Sequence, residues 1–133
     1  MTESPMDRAR SACEALCATY AAMADASRAD DFAALFAPDG VFDRMGTELV
    51  GRDAIRAIIA GRPPGTWSRH VNSNVRISVA ADGRSATGTC DLAMERGIAG
   101  DPKVEQLRGA YTDQYVLTGE GWRFRRRAFR LAD

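Results

Sequence analysis

The sequence predicts an α+β domain in which N-terminal helices pack inside a curved, mainly antiparallel sheet. Three observations predict it. Apolar residues recur at helical spacing in the first part of the chain, and from "WSRHVNSNVRISV" onward they alternate instead. The helical segments come first and the long strands follow, which is the order of an α+β domain. The turn sequences "AADG" and "TGEG" join those strands as hairpins. With 133 residues, 45% of them apolar, the chain fits a single domain over 1–133 with a core that needs no staples.

The first helix starts where Ser4 can cap, Pro5 takes the first helical position and Asp7 favours the positive end of the helix dipole. Met6, Ala9, Cys13, Leu16, Cys17, Tyr20, Met23 and Ala24 form its apolar stripe. "DDFAALFA" reads as a second short helix with Phe32, Leu35 and Phe36 inward, ended by the turn residues "APDG". "VFDRM" reads as a short strand. "VGRDAIRAIIAG" is a third helix with Ile55, Ile58 and Ile59 inward and Gly61 closing it. "RPPG" is a loop. In the next segment Trp67, Val71, Val75, Ile77 and Val79 take odd positions and Ser68, His70, Asn72 and Asn74 even ones. A regular strand therefore puts Val75, Ile77 and Val79 on the face opposite His70. "RSATGTCDLAME" is a weakly patterned strand, and "VEQLRGAYTDQYVL" pairs with "WRFRRRAFRL".

Composition narrows the function. Lys plus Arg and Asp plus Glu both number 18, so the formal charge is zero and gives no sign of nucleic acid or an anionic membrane as partner. The alternating arginines of "RFRRRAFR" read as a solvated face or a dimer rim. Neutral charge and the absence of interleaved stacking aromatics disfavour a nucleic-acid groove. No apolar run approaches the ~18 residues a membrane span needs. The start, "MTESPMDRAR", has no basic segment followed by an apolar one, so no secretory leader is expected and cytoplasm is the default location. One histidine, three cysteines without a CxxC pair, and no Gly-rich phosphate loop predict neither a metal nor a cofactor. Cys13, Cys17 and Cys90 read as small apolar core residues.

Two residues stand out locally. Asp25 falls at the end of the first helix, where a carboxylate opposes the macrodipole at a cost of roughly 0.3–1 kcal/mol. It is either a solvated end residue or a functional group that explains the cost. His70, the only histidine, shares the polar side of its strand with Asn72 and Asn74, and faces either water or a polar pocket floor. Tyr20 is most simply a core tyrosine. Tyr111, Asp113 and Tyr115 alternate on one face, and an aspartate buried there needs hydrogen bonds. Arg127 joins Trp122 on the inner face only if a bulge intervenes.

The order of elements, with "ALFAPDGVF", "GRDAIRAII", "SRHVNSN" and "YTDQYVLTGEGWRF", resembles the SnoaL-like branch of the nuclear transport factor 2-like superfamily. The resemblance covers nearly the whole chain and implies a cone whose sheet and helices enclose a mostly apolar pocket. That architecture hosts many chemistries, so fold alone does not name the reaction. By resemblance, Asp25 and His70 match an aspartate–histidine pair of scytalone dehydratase and of hexachlorocyclohexane dehydrochlorinase. Tyr20 matches the carbonyl-polarising tyrosine of ketosteroid isomerase and the dehydrochlorinase lysine. Asp113 matches the isomerase's protonated aspartate, and Arg127 the dehydrochlorinase's last-strand arginine. The departures are specific. The isomerase's proton-shuttling carboxylate falls on Arg44, with Asp43 beside it on the other side of the strand. The second dehydratase histidine falls near Glu95 and Arg96. The substrate-holding dehydratase tyrosines fall on Ala24 and Arg44.

The expectation is a cofactor-independent, small-molecule enzyme. Asp25, His70 and Tyr20 are its catalytic candidates, and Phe42, Arg44, Tyr111, Asp113, Tyr115 and Arg127 its pocket. It would run an elimination, or a related cyclisation or isomerisation, on a small hydrophobic substrate. A non-catalytic binding or dimerisation module and an isomerase using Tyr20 and Asp113 are the rivals. An Asp25–His70 separation beyond hydrogen-bond reach favours the binding module. A homodimer packed sheet against sheet is expected, from the apolar face assigned to Val75, Ile77 and Val79 and from the resemblance.

Overall fold

Ser4 caps helix α1 (Pro5–Asp25) by accepting a hydrogen bond from the Asp7 N–H. The computed structural model describes residues 3–133; residues 1 and 2, which open the segment read as lacking a leader, lie outside the described residues. Cys13, Leu16, Cys17, Tyr20 and Ala24 of the helical stripe are buried. The remaining elements are α2 (Ala29–Ala33), β1 (Phe36–Arg44), β2 (Thr47–Val50), α3 (Arg52–Ala60), β3 (Thr66–Val79), β4 (Ser85–Ile98), β5 (Val104–Thr118) and β6 (Gly121–Leu131). The six strands form one sheet in the order β2-β1-β6-β5-β4-β3, antiparallel except for the β1–β6 pair. The core joins the inner stripe of α1 to Phe32, Ile55 and Ile59 and to the concave face of the sheet. Among the described residues no helix is long and apolar enough to cross a membrane.

Three local readings are corrected. The second helix stops at Ala33, and Phe36 already belongs to a strand. The "APDG" segment is an irregular insertion in β1, five steps there matching two on β6 between the Phe36–Phe124 and Val41–Arg126 pairs. Pairing with β6 overrides the helical spacing of Leu35 and Phe36. Strand β2 was not expected. It forms a hairpin with β1 because Met45 and Gly46 both take positive φ, 53° and 97°, the left-handed pair that a two-residue turn requires.

The third correction concerns β3. Between the Ser73–Asp91 and Arg76–Thr89 pairs β3 carries an extra residue, and Asn74 sits at φ 51°. This bulge reverses the side-chain phase. Ser68, His70 and Asn72 face inward before it, and Val75, Ile77 and Val79 after it pack against the same core. The apolar trio therefore lies on the face of His70, not opposite it. The result is a concave surface that is polar towards the start of β3 and apolar towards its end.

A second bulge sits in β6. Gln114 pairs with Arg126 and Tyr115 with Phe124, so exposed Arg125 is the extra residue. Trp122, Phe124, Arg127 and Phe129 all consequently pack inward. Gly109 on β5 makes room for the last of these. A Cβ there would stand 2.6 Å from the Phe129 ring and 2.2 Å from the Arg130 carbonyl oxygen.

Candidate active site

The C-terminus of α1 builds one wall of the site. Ser27 takes φ 57°, and this left-handed residue turns the chain. The Ser27 N–H donates to the Ala24 carbonyl and the Arg28 N–H to the Met23 carbonyl, closing the helix end. Serine is not the usual residue for that conformation, and Arg62 stabilises it from outside. Its Nη2 donates to the Ala24 carbonyl at 3.0 Å and to Ser27 Oγ at 2.7 Å, while Nη1 donates to Ser68 Oγ at 3.2 Å. Asp25 is thereby fixed against β3.

Its carboxylate takes three donors. The His70 backbone N–H donates to Oδ2 at 2.9 Å, Ser68 Oγ donates to Oδ1 at 2.9 Å, and His70 Nδ1 lies 2.6 Å from Oδ1. A carboxylate only accepts, so Nδ1 carries the proton of the neutral imidazole and Nε2 is the basic nitrogen. The His70 side chain is 9% exposed and that of Asp25 28%. Burial lowers the His70 pKa below the ordinary value, against the hydrogen bond and charge of Asp25, which raise it. At neutral pH the imidazole is uncharged and ready to accept a proton. One step further along β3, Asn72 Nδ2 donates to the Cys17 carbonyl at 3.0 Å and ties the strand to α1.

The imidazole forms part of the wall of a cavity of about 680 Å³, a size suited to a small organic molecule. Tyr20, Phe42, Arg44 and Tyr111 of the expected pocket line it as well. Tyr20 packs edge-on to His70 with ring centroids 6.2 Å apart and edge-on to Tyr111 at 5.5 Å, and burial raises its hydroxyl above the ordinary tyrosine range. Asp113, Tyr115 and Arg127 are not among the lining residues but are fully buried in the core. Arg127 lies over the Tyr111 ring at 3.5 Å and the Tyr20 ring at 4.2 Å, with Nε 3.1 Å from Asp113 Oδ1. That ion pair is off hydrogen-bond alignment, and neither atom has a hydrogen-bond partner. Tyr115 donates to Asp113 Oδ2 at 3.3 Å and lies 3.1 Å from Cys17 Sγ. All three cysteines are buried and free.

The SnoaL-like domain family profile matches residues 8–128. The chain belongs to the SnoaL-like domain family. A nuclear transport factor 2-like protein with a cystatin-like fold from Novosphingobium aromaticivorans is 26% identical, with a TM-score of 0.82 over 95% of this chain and 83% of its own. A proposed scytalone dehydratase from the same organism is 24% identical, with a TM-score of 0.82 over 92% of this chain and 83% of its own. LinA is 16% identical, with a TM-score of 0.81 over 96% of this chain and 91% of its own. No curated protein sequence matches the chain. These likenesses give the SnoaL-like chain the cystatin-like fold.

Asp43 is turned away from the SnoaL-like cavity. Arg130 and Arg126 donate to its carboxylate, as does the Gly46 N–H, and the first of these contacts foremost holds its pKa below the ordinary value. Ser68, Arg62, Leu92 and Met94 are site residues that sequence reasoning missed. Ser68 was legible as the inward neighbour two residues before His70. Arg62, in a loop beyond Gly61, carried no pattern. Among the described residues no group of three or more His, Cys, Asp or Glu side chains could hold a metal ion.

The geometry fixes the sign of a titration. With one histidine in the chain, the imidazole proton signals belong to His70. Their NMR midpoint is expected below about 6.5. Asp25→Asn removes the charge that raises it, so the midpoint moves lower still; an unchanged midpoint means that the carboxylate does not act on the ring.

Proposed function

We propose that this SnoaL-like protein is a cofactor-independent enzyme that performs base-driven elimination of the dehydratase type on a small hydrophobic substrate. The observation that carries the reading is the 2.6 Å Asp25–His70 contact at the wall of an open, mostly apolar cavity. Nε2 removes a proton from a carbon next to the one bearing the leaving group. The C–H electron pair forms the double bond and the C–O bond breaks. Hydroxide leaves as water, taking back the proton that Nε2 holds. Asp25 stays ionised, fixes the tautomer and stabilises the imidazolium as it forms. Tyr20 is the nearest phenol to the ring and assists the departing or developing oxygen.

The similar proposed scytalone dehydratase supports the reaction class, and the hydrogen-bonded pair favours it over a module that only binds. The isomerase alternative lacks a base, because Asp43 is held outward by Arg126 and Arg130. Small hydroxy-ketones, steroids and halogenated rings, screened for loss of water or halide, test the proposal. A substrate turned over equally well by His70→Ala refutes it.

The reading extends to a homodimer. The helices cover only the concave face. The convex face interleaves short side chains such as Ala93, Ala110, Thr112 and Ala128 and half-exposed Val71 with Arg69, Asp91, Arg108 and Gln114, a mixed surface on which a second sheet can pack through apolar and charged contacts. This basis differs from the Val75, Ile77 and Val79 face, which is internal. Light scattering at micromolar concentration should give twice the chain mass; a strictly monomeric mass counts against it.

A further inference from the structure

We propose that Arg44 is the anion-recognition residue of this cavity, and that the substrate is an apolar molecule carrying a carboxylate. The proposal rests on the reading of the cavity as a small-molecule site and adds the class of ligand. Register places it there. In the parallel β1–β6 pair Phe42 stands beside Arg127 and Arg44 beside Phe129, so the two-residue period turns Phe42 and Arg44 to the concave side. Both line the cavity.

Four cationic side chains border the cavity: Arg44, Arg62, Arg96 and Lys103. Arg62 is committed to Ala24, Ser27 and Ser68, and Arg96 to Glu105 at 2.7 Å. Lys103 is exposed in the loop before β5. Arg44 is half-buried and has no ion-pair partner among the described residues. A guanidinium partly stripped of water, with five donors and no counter-charge, is a recognition site awaiting its anion.

Its field reaches the base of the site. Burial raises the Tyr20 hydroxyl, and Arg44 is among the cations that pull it back. The carboxylates nearby do not neutralise Arg44. Asp25 is occupied by His70 and Ser68, Glu105 is tied to Arg96, and Asp101 is exposed at the rim. Arg62 keeps its charge beside Asp25, but its Nη1 and Nη2 are engaged by Ser68, Ala24 and Ser27, so with His70 uncharged Arg44 is the cation of the inner wall left to meet a ligand. The planar fork of arginine matches a carboxylate in two-point contact, which orients a ligand as well as holding it. Phe32, Ile58, Leu92 and Phe129 supply the apolar wall for the rest of the molecule. A substrate pinned by its carboxylate presents one carbon to Nε2, and this positioning is what a general base requires.

Calorimetric binding of naphthoic acid and naphthamide tests this, since the two share a shape and differ in charge. The wild type at about pH 7.5 is expected to bind the acid at least about tenfold more tightly. Arg44→Gln should bring the two within about threefold, and Arg44→Lys should keep part of the preference. Lys103→Gln, a change at the rim, should leave it intact. His70→Ala should also keep it, and the wild-type preference should persist between about pH 7 and 9, where an imidazolium would have lost its charge. Equal affinity for acid and amide in the wild type, no binding of either at millimolar concentration, or a preference that survives in folded Arg44→Gln overturns the proposal. The wild-type comparison stands even if a variant fails to fold. Because these readouts need no turnover, a carboxylate preference with His70-independent chemistry would sink only the elimination mechanism. Loss of the preference with His70-dependent turnover would sink only the role of Arg44.

Discussion

His70→Ala is expected to lower kcat by about 100–10,000-fold while leaving the fold intact. That range is what a positioned general base contributes. The fold should survive because Asp25 keeps two of its three donors, the backbone N–H of residue 70 and Ser68 Oγ. Asp25→Asn should lower kcat more than it raises KM. The carboxylate's attraction for the ring grows as the imidazolium forms, so its loss falls on the transition state. An asparagine can also present its amide N–H to Nδ1 and stabilise the wrong tautomer. Tyr20→Phe should be milder, since the ring still fills its place among Phe32, Phe42 and Tyr111 while one hydroxyl is lost. Steady-state kinetics with a substrate from the elimination screen reads all three. Equal turnover by wild type and folded His70→Ala ends the mechanism, and a ligand that binds tightly without change favours a binding role.

The sequence carried the layer order, the α1 stripe and the hairpins, because those follow from periodicity and tight turns. It failed where one residue shifts a phase. Asparagine tolerates positive φ, but the alternation of "NSNVR" does not say that Asn74, rather than Asn72 or neither, adopts it, and that residue moves Val75, Ile77 and Val79 onto the face of His70. Met45-Gly46 is a hairpin turn without the Asn-Gly or Asp-Gly signature, so β2 was invisible. The extra residue in β6 was legible only as a condition: Arg127 could point inward if a bulge were present, and Arg125 supplies it. The Asp25–His70 pair was suggested by an acid placed against a helix dipole and by resemblance. The contacts that fix it are long-range. Ser68, the backbone of residue 70 and Arg62 converge on the α1 terminus from across the fold, and no local pattern encodes that meeting.

Arg127→Met is expected to destabilise the protein increasingly as pH rises above about 7, with Asp113 alone adding about 1 kcal/mol at pH 8 because each pH unit above its wild-type pKa of about 7 costs at most about 1.4 kcal/mol. Arg127 is 0% exposed and Asp113 1%. Methionine refills much of the volume between Tyr20 and Tyr111 but leaves Asp113 without a counter-charge. The penalty must then depend on pH. Burial already raises the Asp113 pKa to about 7, with Arg127 the chief opposing influence. A carboxyl whose folded pKa exceeds its unfolded value of about 3.9 contributes its full stability below that value and loses it as pH rises through the folded pKa. In the wild type this contribution therefore fades between about pH 4 and 7. His70, whose folded pKa is lowered, slopes the other way below about pH 6.5. Removing Arg127 raises the Asp113 pKa further, so the variant should keep losing stability above pH 7, where the wild type has levelled off. Adding Asp113→Asn to Arg127→Met removes the ionisable group, and should restore much of the loss at pH 8 and flatten the slope. Urea unfolding of the three proteins at pH 5, 6, 7 and 8 measures these differences. An Arg127→Met protein as stable as the wild type at pH 8 would show that the buried pair does not stabilise the floor beneath the cavity.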